Sequence, residues 1–112
     1  MKAVFFATHG GNEVLQYGDR PASEPGPNEV RVAIRAAALN RLDIFVRNGI
    51  PGVPLPQVPG ADGSGVVDAV GADVTGLTPG DRVLIQPGLW CNACEFCRRG
   101  EQSNCEIGRA HV

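Results

Sequence analysis

This sequence predicts a mostly β fold: a small, partly open barrel with one short helix and a cysteine-rich loop. Three observations point there. Fifteen glycines and nine prolines among 112 residues interrupt long helices and supply turns. Apolar and polar side chains alternate over residues 29–36, the period-two signature of a half-buried strand. All four cysteines fall within residues 88–105, so a single loop holds every thiol. A chain of this length can bury a core of its own, and one domain is expected.

The elements follow in order. Residues 2–8, KAVFFAT, read as a buried strand; the turn residues of His9-Gly10-Gly11-Asn12 and the apolar run Val14–Tyr17 then predict a hairpin. After a proline-rich connection, residues 29–36 form the alternating strand. In residues 40–49, NRLDIFVRNG, Leu42, Phe45 and Val46 share one helical face, Asn40 can cap the start, and Gly49 can supply a left-handed stop. Four prolines among residues 51–59 forbid a regular element. Residues 60–71, rich in glycine, restart as a strand with tight turns or close backbone approaches, and the Pro79-Gly80-Asp81 turn leads into another.

Composition excludes several roles. A formal net charge of −2 carries no basic excess for a nucleic acid or an anionic membrane. No apolar run approaches the ~20 residues that span a bilayer, and AVFFA is too short for a signal segment. The expected location is cytoplasmic, where clustered thiols serve a metal or a redox role more often than a disulfide. GADGSG lacks the G-x-G-x-x-G spacing of a phosphate loop. Tyr17, Phe45 and Trp90 are expected in core packing or cleft lining, and neither His9 nor His111 belongs to a visible constellation.

Cys91, Cys94, Cys97 and Cys105 give C-x2-C-x2-C-x7-C, and such short steps let thiolates converge on one tetrahedral ion. Zinc with four sulfurs is a closed site that cross-links a loop and leaves no position for substrate. Structural zinc is the prime reading. An iron–sulfur cluster is the rival, because three of the cysteines match a ferredoxin run, but that run continues x3-C-P and this one does not. Thiols without metal are the third reading. Arg98 and Arg99 either offset the charge of a thiolate site or are simply solvated.

The residues VAIRAAALNRLDIFVRNG, VPLPQVPGADGSGVV and VTGLTPGDRV, followed by the four-cysteine loop, resemble in order the medium-chain dehydrogenase/reductase superfamily. That superfamily includes zinc-type alcohol dehydrogenases and quinone oxidoreductases. The resemblance implies that residues 1–112 are a GroES-like N-terminal part of a catalytic domain, with a structural zinc loop at 88–105. It implies further that the nucleotide-binding Rossmann domain of the family lies outside this chain, so that the chain alone is inactive. The full-length enzyme is expected to be a homodimer or homotetramer using NAD(P)H and a small-molecule substrate. Residues 106–112 depart from the family's glycine-rich continuation and read as a non-native tail.

The family's catalytic zinc takes a cysteine just before the short helix and a histidine in Gly-His-Glu. Here Asn40 and Ala61 stand at those places, and one remaining protein ligand could not hold a zinc that normally uses three. The resemblance therefore implies hydride transfer to a quinone or activated alkene without catalytic zinc. The alternatives are a fragment of a zinc-type alcohol dehydrogenase, or a stand-alone zinc-stapled domain with a binding or structural role. The quinone oxidoreductase branch usually lacks the zinc loop, so keeping it is a departure.

By resemblance, Asn40 is the catalytic candidate, its amide beside nicotinamide or the substrate carbonyl; an N-cap is the equally weighted alternative. Arg41 is the cofactor-binding candidate, at a place from which family members reach the pyrophosphate, against a solvated arginine. Asp43 sits where an aspartate orients a metal-bound histidine, but with that histidine replaced a cap or a salt bridge is expected. Leu42 replaces a proton-relay hydroxyl. The role of Asp62 stays open.

Overall fold

A computed structural model describes residues 1–106 and 108–110. Strands β1 (Lys2–Phe5) and β2 (Gln16–Asp19) form the expected antiparallel hairpin, joined through a 3₁₀ turn at Asn12–Val14, with Lys2 opposite Asp19 and Phe5 opposite Gln16. A three-stranded antiparallel sheet follows, in the order β3 (Val30–Ala37), β4 (Gly63–Val70), β5 (Arg82–Ile85). Helix α1 (Arg41–Gly49) connects β3 to β4. The cysteine-rich segment contains β6 (Gly88–Leu89), a single turn of helix α2 (Glu95–Arg98), a 3₁₀ turn at Gln102–Asn104, and β7 (Arg109–Ala110) paired with β6. Among the described residues no helix is long and apolar enough to cross a membrane.

Local chemistry explains these boundaries. Helix α1 starts where Asn40 is extended, with φ −121° and ψ 157°, and ends at Gly49, whose φ of +123° is a conformation that side-chain-bearing residues rarely adopt. The helix is fixed to the first hairpin at its C-terminal end. Arg47 Nε donates to the Gly10 carbonyl at 3.1 Å, the Gly10 N–H donates to the Arg47 carbonyl at 3.0 Å, and His9 Nδ1 lies 3.2 Å from the Val46 carbonyl. His9 is thus a structural contact. The proline-rich loop stays irregular but is held by Phe6 and Gln57, which exchange backbone hydrogen bonds of 3.0 and 2.9 Å.

The core is small. Phe6, Val46, Ala61, Val67 and Cys97 are its buried apolar side chains, with Phe6 and Val67 essentially inaccessible. Full burial of a phenylalanine or valine side chain such as these two contributes roughly 1.5–3 kcal/mol. The apolar faces read from the sequence are only partly covered. Val30 and Val32 are half-buried, whereas Ile34 is 52% and Leu84 82% exposed, so the sheet remains open and does not close into a barrel among the described residues. The radius of gyration, 15.5 Å, exceeds the roughly 13 Å of a compact domain of this size. Two expectations are corrected: the first strand alternates exposed and half-buried residues instead of being buried, and Tyr17 is 74% exposed on β2, outside any core.

Residues 63–70 need glycine for close approach. A Cβ on Gly65 would lie 2.2 Å from the Ala33 carbonyl oxygen of the paired strand, where no flexible side chain could yield. Gly65→Ala is expected to destabilise the protein by about 2–3 kcal/mol through overpacking, measured by chemical denaturation. An unchanged midpoint would show that β3 and β4 are not so closely paired.

Candidate functional site

Two groups of chemistry-bearing residues lie apart in the fold. In the first, the four cysteines converge: their Sγ atoms all lie within 4.8 Å of one another, with Cys91 to Cys97 at 3.9 Å and Cys94 to Cys105 at 4.0 Å. A tetrahedron with metal–sulfur arms of ~2.3 Å has edges of roughly 3.8 Å, so these spacings fit a zinc-sized ion. Among the described residues this is the one grouping of three or more His, Cys, Asp or Glu able to hold a metal.

The backbone builds the cluster. The N–H groups of Ala93 and Cys94 donate to Cys91 Sγ at 3.3 and 3.2 Å, and those of Cys91 and Gly108 donate to Cys105 Sγ at 3.3 and 3.1 Å. Donors aimed at sulfur favour the thiolate, the form a metal requires. Cys94 is lowered from the ordinary thiol range by the backbone N–H groups of Cys97 and Glu106, whereas burial pushes the Cys97 thiol up to about 12. Arg99 faces elsewhere, toward Glu95 at 3.5 Å, Glu101 at 3.9 Å and the Phe96 ring. Arg98 is exposed.

The second group surrounds the start of α1. Asn40 N–H donates to Asp43 Oδ2 at 2.8 Å, and Asp43 Oδ1 accepts from the Gly60 N–H at 2.9 Å. Asn40 Nδ2 donates to Asp62 Oδ1 at 2.9 Å. Asn40, Asp43 and the altered Gly60-Ala61-Asp62 stretch are therefore one hydrogen-bonded unit. Ala61 is buried and offers only a methyl group there. Asp62 lines two cavities, of about 420 and 750 Å³, and among the described residues is the only ionisable side chain lining either. The larger is otherwise apolar, with Val32, Ile34, Leu77 and Val83 on its walls.

The sequence-based candidates are placed as follows. The cysteines come together; Asn40 stands at the N-cap of α1, with Asp43 as its capping-box partner; the Arg41 side chain is exposed and makes no hydrogen bond or ion pair among the described residues. Asp43 takes up backbone donors and no arginine. Trp90 lines a separate cavity beside Gln86 and Gln102, as cleft lining requires, while Phe45 is 53% exposed. Residues 107, 111 and 112, including His111 and part of the suspected tail, lie outside the described residues. The sequence reading missed the partnership of Asn40 with Asp62, and a separation of 22 positions left no local pattern to find it by.

Comparison with known proteins places these features in a wider set. The pattern for the alcohol dehydrogenase GroES-like domain matches residues 26–111. A quinone oxidoreductase of Pseudomonas aeruginosa is 48% identical over 88 residues, which are 78% of this chain and 27% of that protein. An alcohol dehydrogenase of Schizosaccharomyces pombe is 38% identical over 109 residues, 92% of this chain and 30% of its own length. The crystal structure of an NAD-dependent alcohol dehydrogenase superposes with a TM-score of 0.89 at 55% identity, covering 98% of this chain and 33% of that one. The chain thus spans about a third or less of the relatives it matches.

Metal uptake at the cysteines must displace protons, including the one burial holds on Cys97, so affinity is expected to strengthen as pH rises. Chelator competition should strip metal more readily at pH 6 than at pH 8, and retention independent of pH would contradict thiolate ligation. Cys97→Ser is expected to weaken retention on the order of 100-fold or more.

Proposed function

The chain belongs to the alcohol dehydrogenase GroES-like domain family of the medium-chain dehydrogenase/reductase superfamily, and from that premise we propose that it is the substrate side of an NAD(P)H-dependent oxidoreductase that reduces quinones or activated alkenes without a catalytic zinc. A structural zinc at Cys91, Cys94, Cys97 and Cys105 is part of the proposal. The observation that carries it is the arrangement at the start of α1. Where a catalytic zinc would need a cysteine and a histidine, there is an amide hydrogen-bonded to Asp62 and a buried methyl group. Neither side chain presents a thiolate or imidazole to a metal.

Bound nicotinamide supplies the hydride. The chain's own residues then have two tasks, holding the acceptor and stabilising charge that develops on its carbonyl oxygen. Asn40 is proposed to do the second by donating an amide N–H to that oxygen, a role for which one donor is worth roughly 10²–10³-fold in rate in comparable sites. Arg41, exposed and with no side-chain partner among the described residues, is proposed to meet the cofactor pyrophosphate, to which a guanidinium can donate twice. The open apolar wall at Ile34 and Leu84 suits an apolar acceptor. The four-thiolate site, remote from substrate chemistry, stiffens the loop that follows β6.

A fragment of a zinc-type alcohol dehydrogenase is the second reading, favoured by the longer reach of the alcohol dehydrogenase relatives, 92% and 98% of the chain against 78%. The two separate in one experiment on the protein carrying this chain together with a nucleotide-binding part. Quinone-dependent oxidation of NADH or NADPH, indifferent to removal of any second metal, is expected, with Asn40→Ala lowering kcat roughly 10²–10³-fold and leaving the cofactor KM unchanged. Alcohol oxidation that needs a second zinc would overturn the proposal, and absence of either activity would favour a stand-alone zinc-stapled module.

A further inference from the structure

We propose that Asp62 is a positioning residue that locks the side-chain amide of Asn40 in one of its two orientations, with the nitrogen edge held on the side of Asp62, a residue that lines both cavities; this rests on the oxidoreductase reading above. An asparagine amide is nearly symmetrical in shape but not in chemistry: one edge donates and the other accepts. An exposed asparagine free to rotate would present its oxygen to a substrate carbonyl in part of the population, and two acceptors repel. Asp62 removes that freedom. An ionised carboxylate only accepts, so it holds Nδ2 at 2.9 Å, and a flipped amide would set oxygen against oxygen.

Both partners are themselves held. The Asn40 backbone N–H is fixed by Asp43, and Asp62 follows buried Ala61 and directly precedes Gly63, which opens β4 and pairs with Ala37 and Ile85. Asp43 is engaged differently, its two oxygens accepting from the backbone N–H groups of Asn40 and Gly60. Asp62 lines both cavities, and the Nδ2 it holds has a second hydrogen that this bond does not use. The carboxylate has a cost, since its charge opposes negative charge developing nearby. Its contribution is orientation, exerted through Asn40.

The test is kinetic, on the same nucleotide-binding form of the protein with a quinone acceptor. Asp62→Ala is expected to lower kcat about tenfold, with unchanged KM for the nicotinamide and unchanged Tm, and to raise the deuterium isotope effect from cofactor labelled at the transferred hydrogen. Asp62→Asn, which can still accept from Nδ2 but does not forbid the flip, should fall between wild type and Asp62→Ala, and it stands in should the alanine variant fail to fold. In an Asn40→Ala background, Asp62→Ala should cause no further loss, because a residue acting through another is non-additive with it. Wild-type kcat in both Asp62 variants, or a full additional loss in the Asn40→Ala background, overturns the proposal. Inactivity of the wild type itself would instead sink the oxidoreductase reading on which it rests.

Discussion

The geometry at the start of α1 depends on the carboxylate of Asp43. One oxygen takes the N–H of Asn40 and the other takes the N–H of Gly60, so a single side chain ties the helix to the loop that leads into β4. The placement is favourable twice over: the carboxylate sits in the first helical turn, where the helix dipole favours negative charge by ~0.3–1 kcal/mol, and it satisfies donors the helix and loop would otherwise leave to water. Everything nearby follows from that tie. Gly60 adopts a φ of +118°, the chain turns, and Asp62 comes within hydrogen-bond distance of Asn40. In the family this aspartate position is associated with orienting a metal-bound histidine; here it orients backbone.

The two halves of the chain accordingly use opposite strategies. At residues 88–105 four sulfurs are drawn together by backbone donors into a spacing that suits one tetrahedral ion and leaves no open position. At residues 40–62 an amide and a methyl group stand where ligands would be needed, and Asn40, Asp43, Gly60 and Asp62 are joined by hydrogen bonds. A metal fits the first arrangement as a cross-link. The second suits hydrogen-bond stabilisation of developing charge, which needs orientation more than it needs a Lewis acid.

Much of the fold was legible because local chemistry determined it. The alternation at 29–36 became β3, Asn40 and Gly49 bounded α1, and cysteine spacing alone located the thiol cluster. Burial was less legible. Ile34 and Leu84 carry a strand's apolar pattern yet remain open, since pattern states which face is apolar and not what covers it. Tyr17 is exposed for a related reason, lying on a two-stranded hairpin with little packed against it. Pairings between distant residues were the least accessible: Asp62 with Asn40, and Arg99 with Glu101 and Glu95 in place of the thiols, are decided by tertiary placement.

The most direct test of the proposed division, a closed metal site apart from a reaction site without zinc, is to count and characterise metal in a protein carrying this chain together with a nucleotide-binding part. Elemental analysis combined with X-ray absorption should find about one zinc per chain, surrounded by sulfur alone at ~2.3 Å. A second equivalent of zinc, or nitrogen and oxygen in the coordination shell, would place a catalytic metal where Asn40 and Ala61 now stand and contradict the account; iron with inorganic sulfide would contradict the zinc assignment itself.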